Sequence, residues 1–287
     1  LTLRRAALCG ACLASLWAGL PGTAAASGRW YAWLDRVSPG QAEAAAARWS
    51  ARGVPVSRLP SDRLLGVDAG FVYLFATESL FQAEAQSYVD RLQQGGFKGT
   101  GVQYFSDAVP PGTAEVLGTE PVFAVDAEVD GAAPAEIVAL TRSDGGDLIR
   151  VLKRHADGTL SVDASHAVRL FDLPRVTEGE RARAFPLGPT PAAGTAVVFE
   201  AGFNDARQAS HWSLIFAFTA QDVRVAPKVS FVPGARSPVP VRVVFESTPA
   251  GLGYTVTVSG LKRGPQVRRM VWREDRFVDA AAPAAPK

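Results

Sequence analysis

The segment AEAAAARWSARGV (residues 42–54) is echoed by AQSYVDRLQQGGF (residues 85–97), and the two share a spacing rather than an identity. Ala42, Ala45, Ala46, Trp49 and Gly53 recur in register as Ala85, Tyr88, Val89, Leu92 and Gly96. Apolar residues three and four apart line one face of a helix, and a glycine just past the last turn is a common stop. The spacing predicts two helices of one design, each with a buried stripe and a C-terminal glycine. The literal repeat QAEA, at 41–44 and again at 82–85, runs in another register, which would bury Gln86, Ser87 and Asp90. It belongs instead to the helix starts, where Ser38 and Ser79 each stand three residues before a glutamine, as in a capping box.

Strand patterns flank both helices. RWYAWLD (29–35), VPVSRL (54–59), FVYLFA (71–76) and GVQYF (101–105) complete the order βαββαβ, which predicts an α+β, ferredoxin-like split sheet over residues 27–107. FVYLFA is almost wholly apolar, as a central strand covered on both faces would be. Residues 108–119, AVPPGTAEVLGT, read as a linker. From 120 to 279 strand follows strand, among them EIVALTRS (136–143), AVVFEAGF (196–203), WSLIFAFT (212–219) and YTVTVSG (254–260). Turn signals such as Asp144-Gly145-Gly146 and Asp157-Gly158 separate them. This predicts an all-β domain, either a sandwich or part of a propeller. The stretch 174–194, rich in Pro, Gly and Arg, reads as a long surface loop, and 280–287 as a disordered tail.

Arg4 and Arg5, the apolar run that follows and the small residues Ala24-Ala25-Ala26 have the layout of a secretory signal peptide over residues 1–26. A periplasmic or secreted protein is expected. The apolar run is shorter than the roughly 18 residues of a membrane span, and none is expected elsewhere. Both cysteines, Cys9 and Cys12, lie in that segment, so the mature chain has neither disulfide nor thiol chemistry. Lysine and arginine total 30 against 28 acidic residues, and Arg4 and Arg5 are the whole excess. The remainder is formally neutral, which gives no electrostatic support for binding nucleic acid or an anionic membrane.

Two βα units with this helix spacing, in a chain with an export signal, resemble the SPOR domain. The resemblance covers about residues 29–106 and is carried by the two helical segments quoted above. It implies a periplasmic module that binds septal peptidoglycan, especially glycan strands stripped of peptides. Family members usually carry a V-Q-x-G-x-F-type stretch after the first strand and a glycine-aromatic turn after the third. AWLDRV (32–37) and LFATES (74–79) stand in those places here, without either glycine.

From the residues themselves, Trp30, Tyr31, Trp33, Gln103 and Tyr104, together with Tyr73 and Phe75, lie on predicted strands. Alternation sends part of them to the face away from the helices. Aromatic rings stack on the C–H face of a sugar while amides bond its hydroxyls. The first five are therefore the candidate glycan-binding residues, with a cell-wall glycan or another envelope protein as the partner. The same side chains also read as core, or as cover for an interface with the β domain.

A second constellation is DAEVDGAAPAE (126–136). Asp126, Glu128 and Asp130 alternate ahead of Gly131, and Glu136 follows, so four carboxylates could converge on a calcium ion. The loop resembles the D-x-D-x-D-G turn of FG-GAP and VCBS-type repeats, and RHADGTLSV (154–162) resembles the hairpin that follows in such blades. A calcium-stabilised interaction or adhesion protein is the alternative function, beside a solvated acidic hairpin tip.

Catalytic patterns are weaker. His155 and His166 flank the Asp157-Gly158 hairpin, and Asp205, Ser210 and His211 crowd one segment best explained as a turn before a strand. No nucleophile or carboxylate pair stands in a recognisable frame, so a non-catalytic binding function is expected. Lys262, Arg263, Arg268, Arg269, Arg273 and Arg276 surround Trp272 near the C-terminus, as a solvated strand face or a surface for an acidic partner.

Overall fold

The computed structural model describes residues 27–131, 133–143, 146–168, 177–190, 193–205, 208–219, 222–225, 229–231, 241–258, 266–273 and 276–280. The predicted signal peptide and residues 281–287 of the predicted tail lie outside the described residues, as do Lys262 and Arg263. Within them the protein is β-rich, and no described helix is long and apolar enough to cross a membrane.

The first elements are β1 (Gly28–Val37), α1 (Ala42–Ser50), β2 (Ser57–Pro60), β3 (Leu64–Leu65), β4 (Val72–Ser79), α2 (Gln82–Gln94) and β5 (Gly101–Asp107). Their strands make one sheet in the order β2-β4-β1-β5-β3, with β1 antiparallel to both β4 and β5. Ala42 and Ala45 of α1 and Val89 and Leu92 of α2 pack on Ala32, Leu34, Val72, Leu74 and Ala76, with Trp49 and Tyr88 half-buried at the margin. The stripe read from the spacing is the face turned to the sheet. Gly53 and Gly96 follow the helices at φ 79° and 82°, a conformation open to glycine because it has no Cβ.

The capping boxes do not form. A 3-10 turn, Pro39–Gln41, separates Ser38 from α1, and the Ser38 hydroxyl bonds the Gln41 side chain at 3.1 Å. α2 starts at Gln82, after Phe81, and Ser79 Oγ accepts from Phe81 N at 3.0 Å and meets the Glu84 carboxylate. In both places the helix begins later than the serine predicts, which puts the first-turn amides out of the hydroxyl's reach.

Residues 108–119, expected as linker, contain α3 (Thr113–Leu117). Val116 and Leu117 settle on Ile137, Ala139 and Leu152, and Arg150 Nη1 donates to Leu117 O at 3.2 Å, satisfying a carbonyl at the helix end. An apolar seat turned this segment from a tether into a packed element.

The remaining strands are β6 (Phe123–Ala127), β7 (Glu136–Ser143), β8 (Gly146–Arg154), β9 (Leu160–Val168), β10 (Gly179–Pro186), β11 (Thr195–Asp205), β12 (Gln208–Thr219), β13 (Asp222–Val225), β14 (Val229–Phe231), β15 (Val241–Thr248), β16 (Gly251–Val258), β17 (Gln266–Arg273) and β18 (Arg276–Asp279). They form three four-stranded antiparallel meanders, β6-β7-β8-β9, β10-β11-β12-β13 and β15-β16-β17-β18, with β14 also pairing β12. β11 and β12 of the middle meander are buried on both faces. Val197, Phe199, Trp212, Leu214 and Phe216 meet Phe123, Val138, Leu140 and Ile149 on one side. Ala196, Val198, Ile215 and Ala217 meet Val243, Phe245, Leu252, Tyr254 and Trp272 on the other. Burial on both faces explains why β11 and β12 are apolar at successive positions instead of alternate ones.

β10 corrects the expectation of a surface loop at 174–194. GERARAFP (179–186) pairs along its whole length with β11. Ala182 and Ala184 turn to the first meander, while Arg181 is buried on the opposite face of the strand. Arginine at alternate positions gives a buried strand the composition of a loop. The period of two is present, but its polar set points inward.

Candidate functional site

The five residues expected to bind glycan do not share one surface. Trp30 pairs with Tyr104, Tyr31 with Gln103 and Ala32 with Val102. Ala32 and Val102 belong to the core beneath the helices, so alternation places Trp30 and Tyr104 on the helix side and Tyr31 and Gln103 on the other. The Trp30 and Tyr104 rings meet edge-on at 5.1 Å, and Trp30 Nε1 donates to Glu178 O at 2.9 Å. Trp30 belongs to the joint with the β region, while Tyr104 beside it stays 40% exposed. Tyr31 is fully buried, at 0% exposure.

The face away from the helices carries its own small core. Tyr31, Tyr73, Phe75 and Phe105 cluster with Leu64, and Val67 and Phe71 close over them from the β3 segment. The rings meet at 4.6 Å for Tyr31–Phe75 and 5.2 Å for Tyr73–Phe105. What stays accessible lies beside this cluster, in a concavity of about 440 Å³ lined by Trp33, Asp35, Arg36, Tyr73 and Gln103.

A β-bulge builds that concavity. Trp33 pairs with Phe75 and Arg36 with Tyr73, so β1 spends three residues where β4 spends two, and the register shifts on both sides of Trp33. The extra residue lets Leu34 and Val37 both reach the helix-side core while Trp33 and Arg36 both face the other way. Strict alternation from the sequence would have separated Trp33 from Arg36.

Arg36 lies over the Phe71 ring at 4.6 Å and is paired with Asp68. Its guanidinium is held above the ordinary value by hydrogen bonds to Tyr73 and Asp68. Trp33 Nε1 is buried with no hydrogen-bond partner among the described residues, a state that leaves about 1–3 kcal/mol of desolvation uncompensated. A half-buried indole, the edge of the buried Tyr73, a carboxylate, a guanidinium and an amide border one concavity, a set that can pack on one apolar face while bonding a ring of hydroxyls. The volume lies in the range of small-molecule sites, about 300–1,000 Å³.

The acidic loop does not gather its carboxylates. Asp126 pairs with Arg154 at 3.0 Å and Arg63 at 3.4 Å, and Asp130 with Lys153 at 3.7 Å. Glu136 is buried and accepts from Val129 N at 2.9 Å, so it staples the loop, while Glu128 is exposed. Among the described residues no three His, Cys, Asp or Glu side chains are grouped to hold a metal ion.

The other patterns also disperse. His155 bonds Ser161 at 2.8 Å, whereas His166 pairs with Ile149, several rungs along the hairpin. His211 sits within β12 rather than in a turn before it, and Asp205 and Ser210 are described there only as backbone. Arg268 and Arg269 are neighbours on β17 and so point to opposite faces, while Trp272 is buried.

Composition gave no sign of the most heavily bonded polar cluster. Arg29 reaches Glu78 at 2.8 Å and Asp107; Glu78 also holds Arg181 at 3.1 Å. Arg181 grips Glu200 with two bonds, at 2.6 and 2.9 Å, and Arg183 and His211 each reach the same carboxylate at 3.1 Å. This chain of charges runs from β1 across β4 into β10, β11 and β12, joining the two halves of the molecule. Burial pushes Glu200 upward, but the Arg181 charge and the His211 and Arg181 bonds outweigh it and hold the carboxyl far below its usual range. Glu78 is likewise lowered, burial being overcome by Arg29 and Arg181. Asp107 goes the other way, because burial outweighs its single arginine. The available signal was a lone acid inside TAVVFEAGF (195–203), since a charge in a buried strand demands a partner.

Comparison of the chain with protein-family models, with curated proteins and with solved structures finds no match in any of the three.

Proposed function

We propose that this is an exported, non-catalytic carbohydrate-binding protein that engages cell-wall glycan through the bulged face of its first sheet. The observation that carries the reading is the convergence of Trp33, Tyr73, Asp35, Arg36 and Gln103 on one concavity. In this reading residues 27–107 are a ferredoxin-like, SPOR-like α+β module, supported by the strand order β2-β4-β1-β5 and by two helices on a single face. Residues 120–279 are a β domain that presents the module and contacts envelope partners. Of the residues expected from the sequence, Trp33 and Gln103 are the ones assigned to the ligand.

Titration of the protein with soluble N-acetylglucosamine oligomers tests the reading through tryptophan fluorescence. A saturable change is expected, and Gln103→Ala, an exposed and structurally harmless position, should weaken binding about tenfold, the worth of a lost hydrogen bond in a desolvated site. A signal that never saturates, or one indifferent to Gln103, sinks the proposal.

A further inference from the structure

A second cleft lies where the two halves meet. Its walls are the Ser79–Leu80–Phe81 turn between β4 and α2, Arg181 and Arg183 of β10, His211 of β12 and Arg242 of β15, around a cavity of about 210 Å³. That is smaller than a drug-sized pocket, and it suits a ligand no larger than a single sugar ring.

The guanidinium groups around it are unequally matched. Arg181 has two carboxylates, Glu78 and Glu200. Arg183 shares Glu200, which Arg181 already holds with two bonds, and donates to Phe245 O at 3.4 Å, but Arg183 Nε is buried without a partner. Burial and the neighbouring Arg181 charge both lower the Arg183 pKa. Arg242 has Glu84 as its nearest carboxylate, at 3.9 Å, and Glu84 is also bonded to Ser79.

His211 adds an independent sign. Its side chain is 5% exposed and turns Nε2 to Glu200 at 3.1 Å. An ionised carboxylate only accepts hydrogen bonds, so Nε2 carries the proton. Nδ1 is left buried without a partner in the wall of the cleft.

We infer that this cleft binds a small hydroxylated monocarboxylate, of the sugar-acid or hydroxy-acid class. The ligand carboxylate supplies an acceptor for the unpartnered Arg183 Nε and a closer partner for Arg242 than Glu84 at 3.9 Å, since planar guanidinium groups match a carboxylate in geometry and charge. A ligand oxygen bonds His211 Nδ1, and a ligand hydroxyl donates to Glu84. The two glutamates in the wall, Glu78 and Glu84, accept such hydroxyls but repel a second negative charge, which disfavours phosphate. The site is separate from the Trp33 concavity and does not rest on the glycan reading.

Calorimetric titration of the whole protein with D-glucuronate, L-lactate, glucose and inorganic phosphate tests the assignment. Saturable binding of glucuronate or lactate is expected at concentrations up to about 10 mM, weakened about tenfold or more by Arg242→Gln. The Arg242 side chain is 65% exposed, so the variant keeps the fold, and Gln103→Ala should leave this binding unchanged. Binding of neither carboxylate overturns the inference. So does an Arg242→Gln variant that binds as wild type, glucose binding that Arg242→Gln weakens as much as it weakens glucuronate binding, or binding of phosphate in place of the carboxylates.

Discussion

Replacing Glu200 with glutamine lowers the stability of the folded chain by about 3–5 kcal/mol, the loss expected when one partner of a buried ion pair is removed. The carboxylate is 0% exposed and serves Arg181, Arg183 and His211 together. Glutamine keeps its size but leaves the buried Arg181 and the half-buried Arg183 sharing a neutral amide. An exposed pair behaves differently. Glu43, 83% exposed and paired with Arg58, should lose no more than about 1 kcal/mol on conversion to glutamine. Urea unfolding of both variants measures the contrast, with an equal midpoint shift for the two contradicting the assignment of Glu200 as the central ion.

The same group sets the acid response. A carboxyl whose folded pKa is depressed contributes stability that is complete above its unfolded value, here the ordinary 4.5. That stability is lost as the pH falls below it, because only the unfolded chain takes up the protons. Glu200 and Glu78 therefore weaken the fold in acid. Asp107 and Glu180, both raised by burial, work in the opposite sense by taking protons in the folded state. The shift at Glu200 is the larger, so wild-type stability should fall from about pH 4.5 downward, and Glu200→Gln should flatten that fall.

Gly202→Val is the second large effect. Gly202 pairs with Gly179 across β10 and β11, and Leu80 of the first unit lies on the seat they form. A Cβ on Gly202 would stand 2.8 Å from Leu80 Cβ and 3.0 Å from both Leu80 O and Phe81 Cζ; one on Gly179 would stand 2.7 Å from Leu80 O. Because Leu80 is buried and its backbone is part of the contact, the clash is relieved by parting the two halves. Overpacking of this kind costs about 1–3 kcal/mol. The urea midpoint should fall, and the two halves should unfold in separate transitions instead of together. Gly40→Ala is the control, since a Cβ there meets nothing within 4 Å. A Gly202→Val protein that unfolds like that control would show that Leu80 is not the joint.

How much of this was legible depends on whether each partner is local. The helix stripes at Ala42, Ala45, Val89 and Leu92 were readable because a helix face is written in spacings of three and four residues. β11 and β12 were readable as strands from their apolar runs, while their burial on both faces is seen only in the fold. The division of Trp30 from Tyr31 follows from alternation, but the company of Trp33 and Arg36 does not, because a bulge breaks the period without a sequence mark at Leu34 or Asp35. β10 was illegible because Arg181 and Arg183 spend their charge on Glu200 and Glu78, residues distant in the chain. The four carboxylates from Asp126 to Glu136 have a metal loop's spacing, yet Arg63, Arg154 and Lys153 arrive from elsewhere to engage two of them. Patterning within a segment survives folding; pairing between segments is decided by topology.

The proposed glycan site is the bulged face of the first sheet. Co-sedimentation of the whole protein with purified peptidoglycan sacculi, their stem peptides removed by amidase, tests it most directly when Gln103→Ala and Trp33→Phe variants are run beside the wild type. The wild type should sediment with the sacculi, and both variants should stay largely in solution. A wild-type protein that remains in the supernatant, or variants that sediment as well as it does, would contradict it.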